Sequence, residues 1–154
     1  MAGEKVRWNE ASINIEKGSS TIVGDVLLSS GVIAYLGAFT GYYRLQVLNK
    51  WYRVFRENDL QFSSDFSLIK TLSDPVVARN WQMCGLPSDK ISMENAIIIN
   101  KSSRWPLIID TQGQAINWIK NMESNNKLMV TNFQDNDFQR KLENAVRFGL
   151  PTVK

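Results

Sequence analysis

The chain has 154 residues and a net charge of +3, from 18 basic and 15 acidic residues. Its apolar fraction of 44% and charged fraction of 21% belong to a folded domain able to bury a core, which excludes a disordered segment. One cysteine, Cys84, and no histidine exclude an internal disulfide, histidine-based triads and most zinc sites.

The bases (Lys5, Arg44, Arg53, Arg79, Arg104, Arg140) are scattered singly, without the clustering a nucleic-acid backbone needs, so no nucleic-acid partner is expected. The opening MAGEKVRWNE is charged and lacks the apolar run of a secretory signal. The most lipid-like stretch, Ile22 to Phe39, contains Asp25, two serines and three glycines. It falls short of the roughly 20 apolar residues a membrane span needs, so a buried helix and no membrane partner are expected.

In chain order, Glu4 to Lys17 is polar with thin apolar spacing, as in an exposed helix. A break is expected at Lys17-Gly18-Ser19-Ser20, followed by an apolar helix from about Asp25 to Phe39. Its small residues (Ser29, Ser30, Gly31, Ala34, Gly37, Ala38) would let another backbone approach closely. After Gly41, Tyr42, Leu45, Leu48, Trp51, Tyr52 and Phe55 fall near one face of an amphipathic helix and are expected to face the core. A short helix from about Phe66 to Leu72 follows. The next helix has the clearest punctuation: Asp74 as N-cap, Pro75 at N1, Gly85 at C′ and Pro87 beyond.

From about Ile97 the pattern changes to short apolar runs alternating with helices. Ile97-Ile98-Ile99 reads as a short strand or the lead into one, and Pro106 to Asp110 and Lys127 to Thr131 read as strands. Gln114 to Ser124 and Asp135 to Phe148 read as helices, the latter with Phe138, Leu142, Ala145 and Val146 inward and Gly149 as its stop. Leu150 to Lys154 resembles the start of a further strand. The expected class is α/β: a helical first part leading into an incomplete parallel sheet flanked by helices.

The stretch WPLIIDTQGQAINWIKNME has the outline of a P-loop, a buried-type strand running through a glycine turn into a helix. A working P-loop, G-x-x-x-x-G-K-[S/T], wraps phosphates with backbone N–H groups, reaches them with lysine and binds Mg²⁺ through a hydroxyl. Laid on this chain, the glycines fall on Asp110 and Ala115, the lysine on Ile116 and the hydroxyl on Asn117; Gly113 is the glycine left inside the loop. Asp110 sets a negative charge beside the phosphate position, Ile116 offers no charge, and only the following helix N-terminus remains as an anion site. Read as an acid-tipped strand instead, Asp110 is followed by Thr111, with no glutamate to orient a water. The plainest reading of these residues is a turn from strand to helix, although a nucleotide site with an unorthodox loop stays open. Asp135 and Asp137 suit a helix N-terminus, Asp89 with Ser92 and Glu94 a helix start, and Cys84 a helix C-terminus that would not favour a thiolate. No catalytic pair and no metal-ligand spacing is found.

Three stretches carry a resemblance: GDVLLSSGVIAYLGAFTGYYR, WQMCGLPSDKISMENAIIINKSSRWPLIIDTQGQAINWIKNME and LENAVRFGLP. Together they closely resemble the dynein heavy chain, at the end of the stalk and the front half of the fifth AAA+ module of the motor ring. AYLGAFT and RWPLIID are more similar to axonemal than to cytoplasmic heavy chains. The resemblance implies three segments: 1–20 as the end of the stalk coiled-coil helix, 21–95 as a helical lead-in, and 96–154 as a partial AAA+ core truncated at its third strand. It implies the strand order 5-1-4-3-2, in which the first and second strands are not neighbours. The family's turn usually reads D-P-Q-G-Q-A-N-K-W, already a decayed P-loop; here Thr111, Ile116 and Asn117 replace its proline, asparagine and lysine.

The resemblance thus implies a non-catalytic structural segment with no cofactor of its own, ATP and Mg²⁺ being bound elsewhere in the parent motor. Its implied partners are the rest of the heavy chain ring and dynein complex subunits, with microtubules contacted only indirectly. Its implied setting is the cytoskeleton of the cytoplasm, in the axoneme of a cilium. Trp51, Trp81, Trp105 and Trp118 are expected as packing anchors. Independent stability is expected to be marginal. An alternative is a free-standing adaptor that binds other proteins through an open sheet edge.

Overall fold

Helix α1 runs unbroken over Ala2–Tyr35 in the computed structural model, which describes residues 2–153. The break expected at Lys17-Gly18-Ser19-Ser20 is absent. A glycine inside a helix costs only about 1 kcal/mol relative to alanine, whereas burying a leucine or valine contributes about 1.5–3 kcal/mol. The buried stripe begins at Gly24 and Asp25, less than two turns past Gly18, and continues through Leu28 and Val32, so one helical glycine does not outweigh the packing that follows.

The chain divides into two units, Met1–Ser73 with Glu94–Trp105, and Asp74–Met93 with Pro106–Lys154. The first unit contains α1, α2 (Gly41–Glu57), α3 (Leu68–Leu72) and most of α5 (Lys90–Lys101). Residues 24, 25, 28, 29, 32 and 36 form the buried stripe that leads from α1 into the turn after it. At Gly24 an added Cβ would lie 2.1 Å from the Gln61 carbonyl oxygen, so only a residue without a side chain admits that backbone. At Gly31 the Trp51 ring occupies the equivalent space, 2.8 Å away. The polar members of the stripe are satisfied locally. Ser29 Oγ donates to the Asp25 carbonyl at 2.7 Å, and the Asp25 carboxylate accepts the Ser63 N–H at 2.8 Å. Below them Tyr52 stacks on Phe62 with centroids 5.1 Å apart, and Phe55 and Phe66 pack edge-on around the pair.

Two expectations for this unit need correction. On α2, Tyr42 and Leu45 point outward, 67% and 55% exposed, while Arg44 turns in at 5%. Leu48, Trp51, Tyr52 and Phe55 stay half-buried, so the stripe is right from its second turn onward. Arg44 takes the inward position because its guanidinium donates to the Leu36 and Gly37 carbonyls. The Ile97-Ile98-Ile99 strand does not exist; these residues lie in α5. Met93, Ala96 and Ile97 are buried at helical spacing, and Asp89 starts the helix by accepting the Ser92 N–H at 3.0 Å. A β-branched run favours a strand only where a neighbour pairs with it; here burial on one helical face decides.

The second unit holds α4 (Pro75–Met83), α6 (Gln114–Met122), a 3₁₀ turn (Ser124–Asn126), β1 (Met129–Val130), α7 (Phe138–Phe148) and β2 (Thr152–Val153). Asp74 caps α4 as expected, its carboxylate accepting the Val76 N–H at 2.8 Å with Pro75 at the first helical position. Trp81 and Trp118 meet edge-to-face at 6.1 Å and are 5% and 2% exposed. β1 and β2 pair in parallel, and Gly149 closes α7 in the left-handed conformation at φ 64°. Ala145 is the buried residue of α7 and Phe138 is half-buried, but Leu142 and Val146 are exposed at 37% and 65%, against expectation.

The strand expected over Pro106 to Asp110 is also corrected: that segment forms no regular element and pairs with no strand among the described residues. Trp105, Leu107 and Ile109 alternate outward at 88%, 92% and 89% exposure, so Trp105 is not a packing anchor. Among the described residues only β1 and β2 pair, so the 106–110 segment has no strand beside it.

The close approach at Gly24 is testable. Gly24→Ala is expected to lower unfolding stability by about 1–3 kcal/mol, as overpacking does. Gly37→Ala, whose Cβ would meet Ile98 at an ordinary 3.6 Å, is expected to change it little. Urea unfolding of both variants measures the difference; equal midpoints would contradict the packing described.

Candidate functional site

Asp110 ends the 106–110 segment directly over the first turn of α6. One carboxylate oxygen accepts the Gln114 N–H at 3.0 Å and the other the Ile116 N–H at 2.9 Å. The first N–H groups of a helix lack internal partners and carry the positive end of its dipole. Free, they would bind an external anion; here the chain's own carboxylate takes them. The Ile116 N–H, helped by those of Gln114, Ala115 and Gly113, holds the Asp110 carboxyl below the usual carboxylate range, with partial desolvation opposing. Gly113 sits at φ 71° and ψ 12° as the N-cap, where a side chain would be strained. Its carbonyl accepts the Asn117 N–H at 3.2 Å, opening the helix. The turn geometry by itself therefore accounts for this glycine.

The structure brings Asp110, Gly113 and Ile116 together. Ala115 is half-buried on the helix, while Asn117 and Lys120 are exposed. Ile116 lines a shallow hollow with Val130, Thr131, Asn132 and Asp135. The acid in that hollow is engaged: Asp135 accepts the Asn132 N–H at 3.1 Å and the Lys141 ammonium at 3.3 Å. Both bonds lower its carboxyl pKa, the Asn132 N–H most, and Lys141 is raised in turn, chiefly by Asp137 at 3.0 Å. Cys84 caps the C-terminus of α4, and its carbonyl accepts from the Asn121 amide at 2.8 Å. Among the described residues no cluster of three or more His, Cys, Asp or Glu could hold a metal. Likewise, no helix is long and apolar enough to cross a membrane.

The other concentration of polar chemistry lies in the first unit, where sequence reasoning missed it. Arg44 Nε donates to the Leu36 carbonyl at 3.0 Å and Nη2 to the Gly37 carbonyl at 3.3 Å, gripping the chain just past α1. Nη2 also reaches Asn95 Oδ1 at 2.7 Å, and Nη1 faces Glu94 at 3.8 Å. Desolvation lowers the Arg44 pKa and the Glu94 charge opposes this, while a guanidinium stays charged throughout. Asp25, gripping Ser63 through both carboxylate oxygens, is the second member. A usable signal was present: each is a charge standing on an otherwise apolar helix face, Arg44 at helical spacing from Leu48, Trp51 and Phe55.

Residues 79–153 match the family model described as the ATP-binding dynein motor region, and residues 1–56 match that of the microtubule-binding stalk of the dynein motor. The chain is 50% identical over 153 residues to "Dynein axonemal heavy chain 3" of Mus musculus and 49% identical to that of Homo sapiens. It is 46% identical to "Dynein axonemal heavy chain 1" of Homo sapiens. Each match covers 99% of this chain and 4% of the relative, so the chain spans a small part of those proteins' length. A match to the stalk model followed by one to the motor-region model, with this identity along nearly the whole chain, makes it a member of the dynein heavy chain family.

Proposed function

We propose that this chain is a non-catalytic structural segment of a dynein heavy chain motor ring, joining the stalk to the ring. In this reading residues 1–20 end the stalk's returning helix, 21–95 form the helical lead-in, and 96–154 belong to an AAA+ core. The carrying observation is the Asp110 carboxylate on the Gln114 and Ile116 N–H groups: the donors a phosphate would use are already bonded to a negative charge. Ile116 and Asn117, standing where lysine and hydroxyl would be, support the same conclusion. ATP and Mg²⁺ then act elsewhere in the heavy chain, and this segment transmits force by packing.

The exposed half of α1 supports the stalk assignment. Trp8, Ile15 and Ile22 recur every seven residues and are 77%, 72% and 55% exposed, with Val26 four residues on at 46%. That spacing is a coiled-coil seam awaiting a partner helix. The partners are then the rest of the heavy chain and the dynein complex, with microtubules reached only through the stalk; the relatives' names point to the axoneme. A second reading, an adaptor docking other proteins through the open edge, draws on the exposure of Leu107 and Ile109.

A thermal melt with and without millimolar Mg-ATP tests the first reading. A ligand at 100 times its Kd adds about 2.7 kcal/mol, which moves the midpoint by roughly 5–10 °C for a domain of this size. An unchanged midpoint is expected; a clear rise would overturn it.

Asp110 itself has a pH signature. Its folded pKa is depressed, so its contribution is present above the unfolded value of about 3.9 and is lost as pH falls through the lower folded value. Asp110→Asn is expected to lower the melting midpoint at pH 7 and to converge with the parent chain once the pH has fallen below the depressed folded pKa. A gap independent of pH would show that the carboxylate's charge is not what holds the turn.

A further inference from the structure

A guanidinium presents five N–H donors in one rigid plane. Arg44, with only 6% of its side chain exposed, uses that plane unevenly. Nε holds Leu36 at 3.0 Å and Nη2 holds Asn95 at 2.7 Å, but the Nη2 bond to Gly37 is long at 3.3 Å. Nη1 is buried and has no hydrogen-bond acceptor, although Glu94 Oε2 stands 3.8 Å away. That separation permits ion pairing and exceeds a hydrogen bond. A buried donor left unbonded is costly, and a charge-assisted bond is the strong kind, so the fork is drawn toward Glu94. Closing that gap to about 2.8 Å takes roughly 1 Å of movement. Because the fork is rigid, a shift of that size strains the Nη2 bonds as well, and the one to Gly37 is already the longest of the three.

We propose that Arg44 is a two-position latch on the end of α1. In one position, seen here, it fastens the Leu36 and Gly37 carbonyls and Asn95. In the other it pivots about the Leu36 bond, takes Glu94 through Nη1 and releases Gly37. Glu94 and Gly37 thus compete for one guanidinium, and α5 controls whether the turn after α1 is held. The latch needs only residues of the first unit, so it stands whether or not α1 continues into a coiled coil.

NMR relaxation dispersion on the full chain tests it at the Gly37, Glu94 and Asn95 amides and at the Arg44 Nε–H. Millisecond exchange is expected at all four groups, and Glu94→Gln, which keeps shape and removes the charge, is expected to bring it to baseline. Asn95→Ala removes a bond that holds the first position, so it is expected to enlarge the exchange without unfolding α5. A flat dispersion profile in the parent chain, or exchange that persists undiminished in Glu94→Gln, would overturn the latch.

Discussion

The buried guanidinium of Arg44 closes the end of a 34-residue helix. The carbonyls where a helix ends need donors from outside it, and here one side chain of α2 supplies them to Leu36 and Gly37, just past the last turn. That fixes where α2 starts relative to the end of α1. With α2 so placed, Trp51 fills the space over Gly31, and Tyr52 stacks on Phe62. The 61–63 backbone then lies against Gly24, where Asp25 binds Ser63. The chain of contacts runs from the end of α1 back along its buried stripe. The helix is therefore seated over its second half, while the described side chains of its first half are exposed.

In the second unit the governing constraint is hydrogen-bond pairing of strands. β1 and β2 find one another because a parallel crossover through α7 brings them side by side. The segment before Asp110 has the composition of a strand but no neighbour, so its alternating Leu107 and Ile109 face solvent. The turn at its end is nevertheless well defined, because Asp110 bonds α6 directly and Gly113 supplies the positive φ. The N-terminus of α6 is thereby bonded to the chain's own carboxylate.

Much of this was legible from local chemistry. Asp74, Pro75 and Gly149 mark helix boundaries through their own backbone and side-chain preferences, and the structure places them so. The same holds for the parallel alternation after α6. What was not legible depends on tertiary partners. Ile97 to Ile99 have strand propensity, yet burial of one helical face decides their state, and Lys17 to Ser20 stay helical because the residues after them pack. Leu107 and Ile109 look like core, and their environment depends on a pairing no local pattern encodes. At the candidate site the residue types at 110–117 were readable, but the bidentate capture of two N–H groups by Asp110 was not. Arg44 was passed over as one of several scattered bases, although a charge within the α2 stripe was the available clue.

Amide hydrogen exchange across α1 tests the seated-helix account most directly. The account predicts that amides from Gly24 to Leu36 are protected together with those of α2, as one cooperative unit, while those from Glu4 to Asn9 exchange much faster. If the Gly24 to Leu36 amides exchanged as fast as the opening turns, or independently of α2, the helix would have no seat and the account would be contradicted.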